Sequence, residues 1–255
     1  MKIAICWVPC SPVRATSSHR SEMVSQLLFG ERCQVLDETV KDWLKIKCVY
    51  DGYEGWCQST QLKIVGEETT SIAFGLTSKW STNINLGKQT MKLPLGSSIP
   101  IRKKDRAHLY GIDIDFDGKL WNPAKAKWNR KEVEEIAMLH INTAYLWGGK
   151  SVFGVDCSGY MQTVFRFFGI ELLRDAWQQA GQGVPVDGLK NARFGDLAFF
   201  DNADGKVVHV GLILSHRRII HSSGKVRIDK LNEQGIVNSE NGSLTHTLRM
   251  IRRFN

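Results

Sequence analysis

Tyr145-Leu146-Trp147-Gly148-Gly149-Lys150-Ser151-Val152-Phe153-Gly154-Val155-Asp156-Cys157-Ser158-Gly159-Tyr160 joins a glycine-rich loop to the start of a helix, with a cysteine at the junction. Asp156 suits an N-cap, because its carboxylate can accept from the unpaired N–H groups of a first turn. Met161, Val164, Phe165 and Phe168 recur at helical spacing until Gly169, a natural C-terminal stop. Cys157 is thus expected in the first turn, where the helix dipole favours thiolate over thiol.

A thiolate nucleophile needs a base. Val207 to Leu214 and Arg218 to Ser222 both read as strands, and Ser215-His216-Arg217 between them is a polar link short enough for a hairpin. His209 and His221 are equidistant in sequence from Ser215, so pairing about that link sets them opposite each other or within about one position. Directly opposed residues share a face, roughly 4.5 to 5.5 Å apart at Cβ. A relay in which His209 takes the Cys157 proton and His221 orients His209 is then expected.

These motifs, taken in order with Arg174-Asp175-Ala176, Gly195-Asp196-Leu197-Ala198-Phe199-Phe200, His209-Val210-Gly211 and His221-Ser222-Ser223, resemble the NlpC family of papain-like cysteine peptidases from about Asn129 to Asn255. The resemblance implies nucleophile Cys157, base His209 and third polar residue His221. It also implies an oxyanion site at the Cys157 backbone N–H, helped by Tyr145. The implied reaction is cleavage of an amide on the γ-carboxyl of D-glutamate, next to diaminopimelate or lysine. Taken singly, a cysteine or strand histidine is more often a packed core residue than a catalytic one. His19, His108, His140, His216 and His246 lack such context and read as structural or solvated.

The chain has 255 residues, 42% of them hydrophobic, enough for two or three domains. Its net charge of +8 suits anionic ligands such as muramyl peptides. Without a nucleic-acid motif or concentrated basic run, no nucleic-acid partner is expected. Of six cysteines, Cys6, Cys10, Cys33, Cys48 and Cys57 lie in the first quarter. An odd set cannot pair fully, which favours a reducing compartment; lacking paired zinc-site spacing, the five read as small buried side chains, with no metal or cofactor expected. Ile3 to Val8 is too short for a signal-peptide core and resembles a first strand, and no run approaches membrane-spanning length. A cytoplasmic monomer without a membrane partner is the expectation.

Residues 1–65 show short strands and turns, with alternation from Trp43 to Cys48 and a hairpin signal at Asp51-Gly52. The order resembles a bacterial SH3-like barrel. Gly66 to Ser71 reads as a linker, and residues 66–123 as a second, diverged SH3-like β domain containing Ile72 to Leu76, Leu93 to Pro100 and Tyr110 to Gly118. Asp113, Asp115 and Asp117 fit strand alternation better than a calcium loop. At Asn129-Arg130-Lys131-Glu132 a capping-box-like start precedes Val133, Ile136, Ala137, Ile141 and Ala144, a helix opening the domain at 124–255. The buried strand Gly195 to Phe200 and a closing strand Thr245 to Phe254 complete an α+β fold. One or two small SH3-like barrels thus precede a papain-like cysteine peptidase domain.

Relatives of this architecture use the SH3-like domain to wall off one end of the site and accept short peptides with a free N-terminal L-alanine. The resemblance carries Asp156, Ser158 and Asp175 over as substrate-binding residues from the peptidase domain, and Glu22 and Tyr53 from the barrel. Ala176 departs from the serine of some relatives. The expected substrate is thus a peptidoglycan-derived L-Ala-γ-D-Glu-diamino acid peptide. Two other classes compete: a wall-binding protein without catalysis, and a cysteine acyltransferase on the same fold.

Overall fold

The computed structural model describes residues 2–66, 74–100, 107–109 and 112–254. Strands β1 (Ile3–Cys6), β2 (Cys10–Arg14), β3 (Met23–Leu28), β4 (Arg32–Asp37), β5 (Trp43–Cys48), β6 (Glu54–Gln58) and β7 (Leu62–Val65) form one antiparallel sheet, ordered β3-β2-β6-β5-β4-β1-β7. Every strand sends a side chain into one interior, from Ala4 and Val13 through Leu27, Cys33, Ile46 and Cys57 to Leu62. Such shared burial makes the sheet an SH3-like barrel. Gly52 turns the β5–β6 hairpin at φ +71°. Cys6, Cys33, Cys48 and Cys57 are buried, Cys10 is half-buried, and all five thiols are unpaired.

Next come β8 (Phe74–Thr77), β9 (Ser81–Leu86), β10 (Gln89–Pro94), β11 (Ser98–Pro100), β12 (Ala107–Leu109), β13 (Ile112–Phe116) and β14 (Leu120–Trp121), in two small sheets ordered β10-β9-β13-β12 and β11-β8-β14. Ile84, Leu86, Leu93, Ile99 and Ile114 pack with Ile5 and Phe29 of the barrel into one apolar cluster. Most of the expected linker, Ile72-Ala73 and Tyr110-Gly111 lie outside the described residues.

Asn129 caps α1 (Arg130–Met138): its side chain accepts from the Glu132 N–H and donates to the Glu132 carboxylate. The helix is shorter than the spacing of Ile141 and Ala144 implies. His140 N–H turns back to Ala137, and Asn142 adopts a left-handed φ of +63°. A small hairpin, β15 (Lys150–Ser151) and β16 (Gly154–Val155), precedes α2 (Cys157–Arg166) and α3 (Ala176–Gln179). At the end of α2, Gly169 N–H bonds Arg166 O and Ile170 N–H bonds Phe165 O, with Gly169 at φ +69°. That is the Schellman stop which the glycine promised.

Seven strands complete the chain: β17 (Val184–Val186), β18 (Leu197–Asp201), β19 (Val207–Ser215), β20 (Arg218–Ser223), β21 (Lys225–Asn232), β22 (Gly235–Val237) and β23 (Leu244–Arg253). The sheet runs β17-β23-β18-β19-β20-β21-β22, and a further β22–β23 pairing closes six strands into a ring. Strand side chains alternate between two faces. Val210, Leu212 and Ile220 pack with the Tyr160, Val164 and Phe165 face of α2. Phe200, Ile213, Ile219, Leu231 and Ile251 fill the ring's interior.

Candidate active site

Cys157 is the first residue of α2, capped by Asp156, whose Oδ1 accepts from the Gly159 N–H at 2.7 Å. The other carboxylate oxygen accepts from Gly148 N–H at 2.9 Å, so one side chain pins loop to helix. Arg174, fully buried, donates from Nη2 to Oδ2 at 2.6 Å and from Nη1 to Oδ1 at 3.1 Å, and its Nε donates to Ser25 Oγ of the barrel. Ser158 Oγ donates to Asp156 Oδ1 at 3.3 Å and accepts from Arg174. Asp156 and Ser158 thus line the cavity with their side-chain capacity largely used inside the protein.

Gly148 lets the loop lie against the barrel. Its φ is +75°, and a Cβ there would stand 2.3 Å from the Met23 carbonyl oxygen.

Helix α2 packs on β19, and Cys157 Sγ lies 4.0 Å from the carbonyl oxygen of Val208, the residue before His209. His209 Nε2 is 2.8 Å from His221 Nδ1, so the two imidazoles meet as expected. Their register differs. His221 pairs with Gly211, because Leu214 is an extra residue in a bulge between Ile213 and Ser215 and the turn shrinks to His216-Arg217. A two-residue offset preserves the face, so the histidines meet diagonally instead of directly opposed.

Two further groups join them. Asp229 Oδ2 lies 3.0 Å from His221 Nε2, and His246 stacks on His209 with ring centroids 4.0 Å apart. A second hairpin signal could have found Asp229: Ser223-Gly224-Lys225 pairs His221 with Arg227, which places Asp229 one diagonal step away on the same face. His246 was read as structural or solvated, and no local pattern links the distant β23 to β19.

Burial sets the titration here. It pushes the Cys157 thiol up to about 12, with the Asp156 charge adding to the effect and backbone donors and Arg174 opposing it. Burial here works against the helix dipole, which favours thiolate. Desolvation, then the neighbouring His221 and His246, hold His209 well below the usual imidazole range. Burial also brings His246 down to about 4. For Asp229 burial opposes ionisation, but hydrogen bonds from His221, Ser239 and Arg227 outweigh it and hold the carboxyl well below its ordinary range. Burial thus favours the uncharged form at both Cys157 and His209.

A cavity of about 470 Å³ opens over Cys157. Tyr145, Trp147, Asp175, Trp177, Lys206 and Val208 line it from the peptidase domain, and Glu22, Val24 and Tyr53 from the barrel. Glu22 Oε1 accepts from Trp147 Nε1 at 2.5 Å, and Tyr53 OH reaches both Asp175 oxygens at 3.4 Å. Burial raises the Asp175 pKa, with Arg174 opposing it. Every substrate-contact residue expected from the sequence thus borders one space.

The junction is fixed by buried charge. Glu31 of the barrel, 4% exposed, pairs with Arg166 of α2 and lies 3.5 Å from Lys150 Nζ. Among the described residues no cluster suited to a metal occurs, and no helix is long and apolar enough to cross a membrane.

The sequence signature of the NlpC/P60 family matches residues 142–243, spanning Cys157, His209 and His221, and that of the bacterial dipeptidyl-peptidase SH3 domain matches residues 13–62. The chain carries an NlpC/P60 domain behind a bacterial dipeptidyl-peptidase SH3 domain. It is similar to the gamma-D-glutamyl-L-lysine dipeptidyl-peptidase of Bacillus subtilis, 29% identical over 219 residues, covering 78% of this chain and 71% of the relative. Dipeptidyl-peptidase 6 of Lysinibacillus sphaericus is 26% identical over 242 residues, covering 84% of this chain and 86% of that one. A crystal structure of an NlpC/P60 family protein from Bacillus cereus superposes with a TM-score of 0.85 over 99% of both chains at 21% identity, so the fold extends through the whole chain. The chain is a peptidase.

Proposed function

We propose that this peptidase hydrolyses the amide between the γ-carboxyl of D-glutamate and a diamino acid in short peptidoglycan-derived peptides, releasing L-Ala-γ-D-Glu during wall-peptide recycling inside the cell. One observation carries the finer reading: barrel residues Glu22 and Tyr53 border the same cavity as Asp175 and Cys157. Carboxylates around a closed end suit an ammonium group, for which charge-assisted hydrogen bonds give both energy and position. A free N-terminal alanine amine fits that end, and a continuing glycan strand does not. Relatives named as gamma-D-glutamyl-L-lysine dipeptidyl-peptidases support the bond chosen.

In this mechanism Cys157 Sγ attacks the γ-glutamyl carbonyl while its proton passes to His209. The Cys157 backbone N–H and the Tyr145 hydroxyl receive the oxyanion. His209 protonates the leaving amine, and a water activated by His209 then releases the acyl group. His221 holds the His209 ring. Ala176 cannot supply the hydroxyl that some relatives place there, so Tyr53, Asp175 and Glu22 carry amine recognition.

The test is mass-spectrometric cleavage of L-Ala-γ-D-Glu-diaminopimelate and its lysine counterpart, each beside its N-acetylated form, with Cys157→Ala as control. Cleavage of the free amines alone, abolished in the variant, is expected. Equal cleavage of the acetylated peptides would remove the barrel's role, and activity in Cys157→Ala would remove the nucleophile.

A further inference from the structure

We propose that Asp229 is a positioning residue that sets the tautomers of His221 and His209, so that Nδ1 of His209 is the nitrogen that receives the Cys157 proton. This rests on the reading of Cys157 as nucleophile and His209 as base.

The relay crosses three neighbouring strands by the same diagonal step twice. His209 on β19 meets His221 on β20, whose direct partner is Gly211, and His221 meets Asp229 on β21, its own direct partner there being Arg227. All three share the ring's interior face with Ile213, Ile219 and Leu231, and all are nearly inaccessible, at 5%, 1% and 3% exposure. Hydrogen-bond roles are therefore decided within the protein.

Both Asp229 oxygens are committed. Oδ1 accepts from the Ser239 N–H at 2.8 Å and from Arg227 Nη2 at 3.0 Å. Oδ2 lies 3.0 Å from His221 Nε2 and 2.8 Å from Arg227 Nε, the latter an ionic contact not aligned as a hydrogen bond. An ionised carboxylate only accepts, so His221 Nε2 carries a hydrogen. In the proposed arrangement that is the one hydrogen His221 carries, so its Nδ1 accepts, and His209 Nε2, 2.8 Å away, supplies the hydrogen between them. A neutral imidazole has one N–H, so His209 Nδ1 is left bare. When the Cys157 S–H bond breaks, its electron pair stays on sulfur and the proton forms an N–H bond at that nitrogen. The resulting imidazolium faces a carboxylate through two hydrogen bonds. Other ionisable groups around the relay are His246 stacked from β23, Arg227 and its partner Glu240 beside Asp229, and Asp156 and Tyr145 beside Cys157.

In Asp229→Asn the carboxamide can present its NH₂ to His221, which would reverse both histidines and put the hydrogen on His209 Nδ1. Nitrogen-15 NMR of histidine-labelled full-length protein reads this directly. The expected result is an unprotonated His209 Nδ1 in the native protein and a protonated one in Asp229→Asn. A fall in kcat of about 10²- to 10³-fold with KM nearly unchanged should accompany it, by analogy with tautomer-trapping variants of other triads, with partial recovery in Asp229→Glu. A protonated Nδ1 in the native protein overturns the proposal, and that reading needs no folded variant. Unchanged tautomers in folded Asp229→Asn overturn it as well. The NMR result is independent of turnover, so failure of the nucleophile assignment shows separately, as activity in Cys157→Ala.

Discussion

Gly211 faces His221 across the β19–β20 register, and a Cβ at 211 would stand 2.9 Å from the His221 Cβ and 2.8 Å from Ile219 Cδ1. The missing side chain is the space in which His221 leans toward His209. Gly211→Ala should displace that ring, lowering kcat at least tenfold and costing about 1–3 kcal/mol of stability, the usual range for overpacking a filled core. Steady-state kinetics with urea unfolding checks both, and unchanged kcat would show that the ring position is insensitive to the contact.

A thiol whose pKa burial raises has a chemical signature. Because burial takes the Cys157 thiol to about 12, alkylation of the free enzyme by iodoacetamide should be slow at pH 7 and still rising beyond pH 9. A rate already at its plateau below pH 7 would mean a preformed thiolate–imidazolium pair.

Acid should destabilise the protein in a defined window. His140 is fully buried against Tyr160, and desolvation lowers it from 6.5 to about 4. Its folded value lies below its unfolded one, so the unfolded chain takes up the proton first. The stabilisation is complete above pH 6.5 and is lost as pH falls through about 4. At about 1.4 kcal/mol per pH unit of separation this amounts to roughly 3 kcal/mol. His209 and His246 are lowered in the same direction, so urea unfolding at pH 7 and pH 4.5 should show a larger total loss, of which His140→Phe should remove only the His140 share.

Arg174→Met should cost about 3–5 kcal/mol, the usual penalty for leaving one partner of a buried pair uncompensated. Asp156 would lose two donors while still tied to Gly148 and Gly159. Thermal unfolding checks the cost, and a loss under 1 kcal/mol would mean that water replaces the guanidinium.

Glu22→Gln and Tyr53→Phe, made singly, should each raise KM for the free-amine peptide about tenfold, the equivalent of one charge-assisted hydrogen bond of roughly 1.4 kcal/mol. Little change in kcat is expected. Equal effects on an N-acetylated peptide would show that these residues shape the cavity without reading the amine.

Local rules made the helix that begins at Cys157 legible: Asp156 caps, Gly169 stops, and the apolar positions between them face the sheet. The shared face of His209 and His221 was equally readable, since strand alternation survives an even shift in register. Their two-residue offset comes from centring the pairing on Ser215: the observed pairs Gly211–His221 and Ile213–Ile219 centre on His216, with Leu214 bulged. Helical spacing carried α1 too far, since periodicity does not reveal where Asn142 will turn left-handed. His246 reaches His209 across β18, which pairs with both β23 and β19, and Glu31 reaches Arg166 across 135 residues. Such contacts belong to tertiary packing and leave no periodic trace.

The buried Glu31 junction bears on how the two parts can be used. A carboxylate stripped of water and held by Arg166, Lys150 and the Leu28 N–H keeps its partners satisfied in one arrangement of the two parts. The barrel is therefore less an adaptor that brings an enzyme to its target than a structural wall of the enzyme itself. Detaching it would unpair Arg166 and Lys150 from Glu31 and take one side from the cleft, so the two parts should melt as one unit and resist exchange with barrels from elsewhere.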